Sequence, residues 1–162
     1  MMGIEGGTGH FDQVKLRGCW TGAEIAAFLE GQLIPVRLAV QDGTGSPWVM
    51  SLWFLCEDSR LWCATNRHSK LVSYLQARPR CGFEIAGDLP PYRGIRGKGE
   101  AELVPERGGD ILVRLLRRYG IDPASTLARS LLAKVDQEVA ISISPSRISS
   151  WDFTERMADA MR

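Results

Sequence analysis

The stretch LWCATNRHSK, residues 61–70, runs from apolar residues through a polar, basic turn towards Leu71, Val72 and Leu75, which have helical spacing. The stretch therefore predicts a strand, a turn and a helix in succession. A helix start offers free backbone N–H groups, and to these Thr65 and Ser69 add hydroxyls and Arg67 and Lys70 add charges that suit a phosphate. The turn alone favours the simpler interpretation, in which Ser69 and its neighbours only cap the helix.

On both sides of this turn, short runs rich in β-branched and aromatic residues are separated by turn residues, which is typical of antiparallel strands. Strands are predicted at 35–41, 48–55, 60–65, 80–86, 92–104 and 138–144. The first three are expected to form a meander. Because these runs are apolar on both faces, a barrel or an extensive interface is favoured over a sheet with one wet face.

Helices are predicted on the flanks of these strands, within a single domain. Thr21 and Glu24 have the spacing of a capping box, which predicts a short helix that ends near Gly31. A helical insertion is expected over 110–134, where apolar residues recur at helical spacing. The glycine-rich residues 1–18 show no pattern and are expected to form a flexible arm.

Composition excludes several classes of function. With 20 Lys and Arg against 19 Asp and Glu, the net charge is +1, so no nucleic-acid partner is expected. No signal sequence and no run of about 18 apolar residues is present, which predicts a cytoplasmic protein without a membrane partner. Four cysteines without a CxxC pair and only two histidines predict no metal site.

Other candidate motifs favour structural roles. Gly94, Gly97 and Gly99 lie inside a predicted strand and lack the context of a dinucleotide-binding loop, so they indicate backbone shape. The basic run over 92–98 is interpreted as a solvated strand face or the wall of a cofactor site. Cys63 is expected to be buried, with a raised pKa. No catalytic residue can be assigned.

Four segments, taken in order, resemble the pyridoxamine 5′-phosphate oxidase-like family of FMN-binding split barrels. They are Trp48–Phe54, Leu61–Lys70, Ala77–Arg80 and Pro90–Gly97, and the tail around Trp151 is also similar. The resemblance spans residues 34–104. It implies a mainly β fold, a six-stranded antiparallel split β-barrel with flanking helices, which forms a homodimer with FMN in two grooves between the subunits.

The resemblance also implies roles for particular residues. Thr65, Asn66, Ser69 and Lys70, with help from Arg67, would hold the FMN phosphate. The backbone of Val49, Met50, Ser51 and Leu52 would follow the edge of the flavin ring. Arg93 and Gly94 would reach the cofactor of the other subunit, and Trp151 is a candidate to flank the ring. Val49 and Leu71 stand where relatives carry basic residues.

The activity implied is that of a flavin-dependent oxidoreductase with an unknown small-molecule redox substrate. The substrate-phosphate residues of true pyridoxamine phosphate oxidases are not recognisable, so that reaction is not expected. Relatives of this fold use the deazaflavin F420 or bind haem, so an F420-dependent reductase and a haem-binding protein stay open as alternatives. A flavin carrier or sensor without turnover is a further alternative.

Overall fold

In the computed structural model, residues 10–160 are described, and they form eight strands and four α-helices. The strands are β1 Lys15–Arg17, β2 Val36–Gln41, β3 Pro47–Leu52, β4 Leu55–Glu57, β5 Arg60–Asn66, β6 Arg80–Ala86, β7 Arg93–Val104 and β8 Glu138–Asp152. The helices are α1 Gly22–Gly31, α2 Lys70–Ala77, α3 Gly108–Arg118 and α4 Thr126–Leu132. None of the helices in this part of the chain is long and apolar enough to cross a membrane.

The strands form one curled sheet in the order β3-β2-β6-β7-β8-β5-β4, and β1 adds to β8 in parallel. The sheet is not closed, because its two outermost strands, β3 and β4, do not pair with each other. Only Trp53 and Phe54 separate them in the chain, so the two edges lie close together. This is the predicted split barrel, with eight strands in place of the expected six.

The predicted meander of the first three strands is wrong. The expected strand 48–55 is broken at Trp53 and Phe54, so that β3 pairs with β2 while β4 pairs with β5. Aromatic packing explains the break: Phe54 is fully buried, Trp53 stacks on Tyr119 at 5.2 Å, and the Phe54 N–H donates to the Tyr119 hydroxyl at 3.2 Å. The chain therefore passes from one edge strand of the sheet, β3, to the opposite edge strand, β4.

The arm predicted over residues 1–18 needs correction. Residues 1–9 lie outside the described residues. From residue 10 onward the segment is anchored, because Phe11 is 1% exposed within the core and its N–H donates to the Ser59 hydroxyl at 2.8 Å. Leu16 in β1 pairs with Ile148 of β8. A single buried aromatic ring and a three-residue strand leave no periodic pattern in the sequence.

Two hydrophobic clusters lie on the two faces of the sheet. The larger fills the barrel and includes Phe54, Leu61, Cys63 and Ile141, with α1 and α2 packed around it. The smaller, which includes Trp62 and Ala140, lies under α3. Cover on both faces explains why the first six residues of β8 are all buried.

The predicted helices are present, with small shifts at their ends. The capping box of Thr21 and Glu24 is formed at the start of α1. The predicted insertion begins at Gly108 rather than 110. Residue 108 lies so close to β8 that a Cβ there would be 2.1 Å from the Glu138 carbonyl oxygen, so the packing requires glycine. β8 continues past residue 144 to Asp152, since β7 pairs with it along its length.

Candidate functional site

The turn between β5 and α2 is built by its own side chains. Ser69 is the N-cap of α2, and its hydroxyl accepts from the Val72 N–H at 3.4 Å. The Thr65 hydroxyl donates to that of Ser69 at 3.4 Å, which brings the two hydroxyls together beside the helix start. Because the first N–H groups of a helix have no partner within it, this corner presents several donors in a small space.

Asn66 and Arg67 fasten the turn to the segment before β8. The Asn66 side chain accepts from the His68 N–H at 2.9 Å and donates to the Gln137 side chain at 3.3 Å. The Arg67 guanidinium donates to the Asp136 carbonyl oxygen, and the Arg67 backbone N–H donates to the Gln137 carbonyl oxygen at 2.8 Å. Both side chains are thus hydrogen-bonded to other residues of the same chain.

The contacts with residues 136 and 137 do not involve the side chains of four polar residues of the turn, namely Thr65, His68, Ser69 and Lys70. Lys70 is exposed and makes no ion pair within residues 10–160. Leu71, where relatives of the resembled family carry a second base, is 3% exposed and belongs to the core. The cation at the start of α2 that has no ion pair among residues 10–160 and is not bonded to the segment before β8 is therefore Lys70.

Two unpaired strand edges, that of β3 and that of residues 63–66 of β5, lie on either side of the chain crossing at Trp53 and Phe54, and together they are called the seam. β3 pairs only with β2, and β4 covers β5 only as far as Trp62, so both edges lack a strand partner here. Val49, Met50, Ser51 and Leu52 line one edge of the seam, and Thr65 lies on the other. Backbone groups along such edges are free to bind a ligand.

Arg93, Gly94 and Trp151 meet at a different place. Arg93 pairs with Asp152 and Gly94 with Trp151, at the start of β7 and the end of β8. The Arg96 guanidinium lies over the Trp151 ring at 4.9 Å. The structure thus brings the three residues together, on an open part of the sheet where Arg93 is exposed and Trp151 is half-buried.

The turn and this second group lie at opposite ends of the same strands. Asn66 pairs with Glu138, the first residue of β8, whereas Arg93 pairs with Asp152, the last. The strand β7, which connects the two ends, has 12 residues; at about 3.3 Å per residue that is roughly 35 Å of strand. Measured along the strands, the two groups are therefore farther apart than one small ligand is long.

Gly94 has a structural reason to be glycine. A Cβ at this position would lie 2.6 Å from the Ala86 Cβ and 2.7 Å from the Ile85 carbonyl oxygen. Real side chains do not tolerate such contacts with backbone. The glycine is therefore required by the close packing of β6 against β7, whether or not a ligand approaches it.

The buried thiols are poor nucleophiles. Burial raises the pKa of Cys63 far above its usual range, and it raises the pKa of Cys56 to about 11 and that of Cys81 to about 12. The prediction for Cys63 is thereby confirmed. Within the described part of the chain, no group of three His, Cys, Asp or Glu side chains is placed to hold a metal ion.

Sequence reasoning missed two features near the site. Tyr119, just after α3, accepts from the Phe54 N–H at the chain crossing, and on the outer face of the sheet Arg147 lies between Lys98 and Lys15. Both features join residues that are far apart in sequence, so short-range patterns gave no signal for them.

Residues 21–152 match the family model described as pyridoxamine 5′-phosphate oxidase. No curated protein matches the sequence. A solved structure of a conserved hypothetical protein from Mycobacterium tuberculosis is 27% identical, with 83% of this chain and 86% of that chain covered and a TM-score of 0.70.

Two further solved structures share the fold at lower identity. One, described as an F420 reductase, is 22% identical, with 75% of this chain and 94% of that chain covered and a TM-score of 0.65. The other, an FAD-binding protein from Mesorhizobium loti, is 19% identical, with 81% and 93% covered and a TM-score of 0.56.

Proposed function

The chain belongs to the pyridoxamine 5′-phosphate oxidase family, and from that premise we propose that it is an FMN-dependent oxidoreductase whose cofactor site is shared by two copies of the chain. One observation carries this proposal: the residues implicated in cofactor binding fall into two groups at opposite ends of β7 and β8. A second copy can supply the group that lies far from the turn in the first.

The donor set at the β5–α2 turn supports a phosphate ligand. Thr65 and Ser69 supply hydroxyls, Lys70 supplies a charge, and the start of α2 supplies backbone N–H groups and the positive end of the helix dipole. A phosphate monoester accepts from all of these. Asn66 and Arg67 hold the turn in shape through residues 136 and 137, so their role is to position the donors.

The seam supports a flat ring system next to that phosphate. The free edge of β3 offers backbone N–H and C=O groups at Val49–Leu52, which can bind the polar edge of a flavin without a titrating side chain. When bound, the flavin supplies the electron or hydride transfer. The chain's own contribution is to bind and orient the cofactor and to leave room for a small redox substrate.

The second copy is proposed to contribute Arg93, Gly94 and Trp151. Trp151 has an aromatic face for a planar ring, and its position is held by the Arg96 guanidinium at 4.9 Å. Arg93 is exposed and has no ion pair among residues 10–160, so it is free to approach an anionic group. The cytoplasmic location expected from the sequence stays a prediction.

The proposal is tested by titrating the purified full chain with FMN and recording the absorption spectrum. Bound FMN gives absorption bands at about 370 and 450 nm, whereas F420 gives a single band at about 420 nm and haem gives a Soret band. Lys70→Ala is expected to weaken FMN binding about tenfold, because a charge-assisted contact is lost. The matched control is Lys134→Ala, which removes an exposed lysine that lies beyond α4.

Two results separate the alternatives. A protein that ignores FMN but binds F420 or haem has a different cofactor, and equal FMN affinity in the two variants would place the phosphate elsewhere. Mixing the photoreduced holoprotein with oxygen or quinones then separates an oxidoreductase from a carrier, since an enzyme reoxidises faster with its acceptor than free FMN does.

A further inference from the structure

A cleft between α3 and α4 lies apart from the residues proposed to bind the cofactor. Its volume is about 440 Å³, within the range of about 300–1,000 Å³ that small-molecule sites occupy. Residues of α3, of α4 and of the connection 119–125 line it, and no residue of a strand does. The cleft therefore shares no residue with the β5–α2 turn, the seam or the group around Trp151.

The connection at one end of the cleft is fixed by its own hydrogen bonds. Gly120, with a φ of +63°, ends α3, and its N–H donates to the Arg117 carbonyl oxygen at 3.1 Å. The Asp122 carboxylate accepts from the Ala124 N–H at 2.9 Å, and the Ser125 hydroxyl caps α4. This end of the cleft is thus held in shape without a ligand.

The apolar residues that line the cleft are of two kinds. Leu116 and Ala128 are buried, whereas Val113 and Leu132 are 40% and 37% exposed. Of the seven residues of α4, all in the described part of the chain, Ala128 alone is buried. A helix this short is not stable by itself, so it depends on contacts outside it. An apolar molecule in the cleft would add such contacts.

Arg117 brings a positive charge to the cleft. It is exposed and forms no ion pair with a residue between 10 and 160. The other arginines of α3 are engaged, since Arg114 forms an ion pair with Glu57 at 3.0 Å and Arg118 donates to a carbonyl oxygen at the end of α1 at 2.7 Å. The Asp122 carboxylate, which also lines the cleft, is hydrogen-bonded within the connection. One cation is thus left for a ligand.

We propose that the cleft binds an amphipathic carboxylic acid, with its hydrocarbon chain between α3 and α4 and its carboxylate on Arg117. A guanidinium can bind a carboxylate through two parallel hydrogen bonds, and the apolar walls bury the chain. A single cation favours a monoanion. A second copy of the chain fits less well, because a stable interface takes about 20–30 residues from each side, whereas nine residues line the cleft.

Calorimetric titration of the full chain with octanoate, octanol and octylamine, each below its micelle concentration, tests the proposal. The three molecules share one hydrocarbon chain and differ in the charge of the head group. Wild type is expected to bind one octanoate per chain, at least about fivefold more tightly than octanol or octylamine. The affinity for octanoate should be the same with and without FMN, because the two sites share no residue.

Two variants with matched controls separate the head group from the chain. Arg117→Gln should weaken octanoate binding about tenfold and leave octanol binding unchanged. Its control is Arg129→Gln, which removes an exposed arginine of α4 outside the cleft. Leu132→Ser should weaken the binding of octanoate and octanol alike, about threefold, because apolar contact is lost. Its control is Leu127→Ser, an exposed leucine of the same helix that does not line the cleft.

Thermal unfolding gives a second readout. Octanoate should raise the melting temperature of wild type, because it binds the folded chain, and should raise that of Arg117→Gln less. A surfactant that binds without a site prefers the unfolded chain and lowers the melting temperature. A lower melting temperature of wild type in octanoate would therefore contradict the proposal.

Four further results would overturn it. They are no saturable binding of octanoate by wild type, equal octanoate affinity in Arg117→Gln and Arg129→Gln, displacement of octanoate by FMN, and a change of oligomeric state in Leu132→Ser but not in Leu127→Ser. The third would make the cleft part of the cofactor site, and the fourth would make it a contact between copies of the chain. A failure to bind FMN would leave the octanoate result standing, since octanoate is also titrated without flavin.

Discussion

The polar groups at the two ends of β8 differ in how they are bonded. The turn end is Glu138, which lies beside the β5–α2 turn, and the tryptophan end is Trp151 and Asp152. At the turn end, Glu138 is buried beside Asn66, and the neighbouring side chains are bonded to residues 136 and 137. At the tryptophan end, the Asp152 side chain is hydrogen-bonded to Thr154 and to no other residue between 10 and 160, and the flanking Arg93 is exposed. The donors of the turn end are held in place by hydrogen bonds within the chain, whereas the tryptophan end is an open surface. This difference fits the site shared by two chains that we propose.

The largest expected effect is a loss of stability on substitution of Gly94, and it tests whether this glycine is needed for packing at the tryptophan end. Gly94→Ala should lower the free energy of unfolding by about 1–3 kcal/mol, because the new methyl group meets the Ile85 carbonyl and the Ala86 side chain. Gly82→Ala, in the adjacent strand β6, is the matched control and should change it by less than about 0.5 kcal/mol. Denaturant unfolding of both variants measures the difference.

Equal stability of the two glycine variants would contradict the close packing of β6 and β7 at this end. It would leave Gly94 with a role in binding alone.

A smaller effect is expected from changes to the N-cap residues of α2 and α4. Ser69 and Ser125 each cap a helix, and their hydroxyls accept from the N–H groups of Val72 and Ala128 at 3.4 and 3.1 Å. Each serine-to-alanine change should cost about 1 kcal/mol of stability. Only Ser69→Ala should also weaken FMN binding, as measured by fluorescence titration. If both variants bind FMN alike, Ser69 is a cap and nothing more.

The smallest effects are the opposite responses of the two ends to pH. Burial raises the pKa of Glu138, so its contribution to stability is present at low pH and is lost as the pH rises through the raised value. Hydrogen bonds from Thr154 lower the pKa of Asp152, so its contribution is present at neutral pH and is lost as the pH falls through the lowered value.

Glu138→Gln should therefore stabilise the protein at about pH 8 and change little at about pH 3, whereas Asp152→Asn should destabilise it at about pH 7 and change little at about pH 2. Denaturant unfolding across this range checks both. A pH response of the same sign at the two ends would contradict the contrast between them.

What the sequence predicted correctly depended on short-range patterns. The strand, turn and helix around residues 61–77, the caps at Thr21 and Ser69, and the long glycine-containing strand β7 all lie within a few residues of the signals that indicate them. The order of four such segments was enough for the resemblance to the family, which the family model confirms.

What the sequence missed depended on contacts between distant residues. Phe11 is buried through contacts far along the chain, and the break at Phe54 depends on Tyr119, which is 65 residues away. The candidate binding residues could be named from the resemblance, but their separation into two ends follows only from the register of β5, β7 and β8. The same holds for the row of Lys98, Arg147 and Lys15.

The shared site is tested most directly by mixing two variants. Lys70→Ala damages the turn end and Trp151→Ala damages the tryptophan end, and each variant alone should bind FMN about tenfold more weakly or worse. In a mixed dimer purified through two different tags, one site then combines both defects and the other combines two intact ends. We predict one FMN bound per two chains with wild-type affinity. Two equally weakened sites in the mixed dimer, or full FMN affinity in a monomer, would contradict the account.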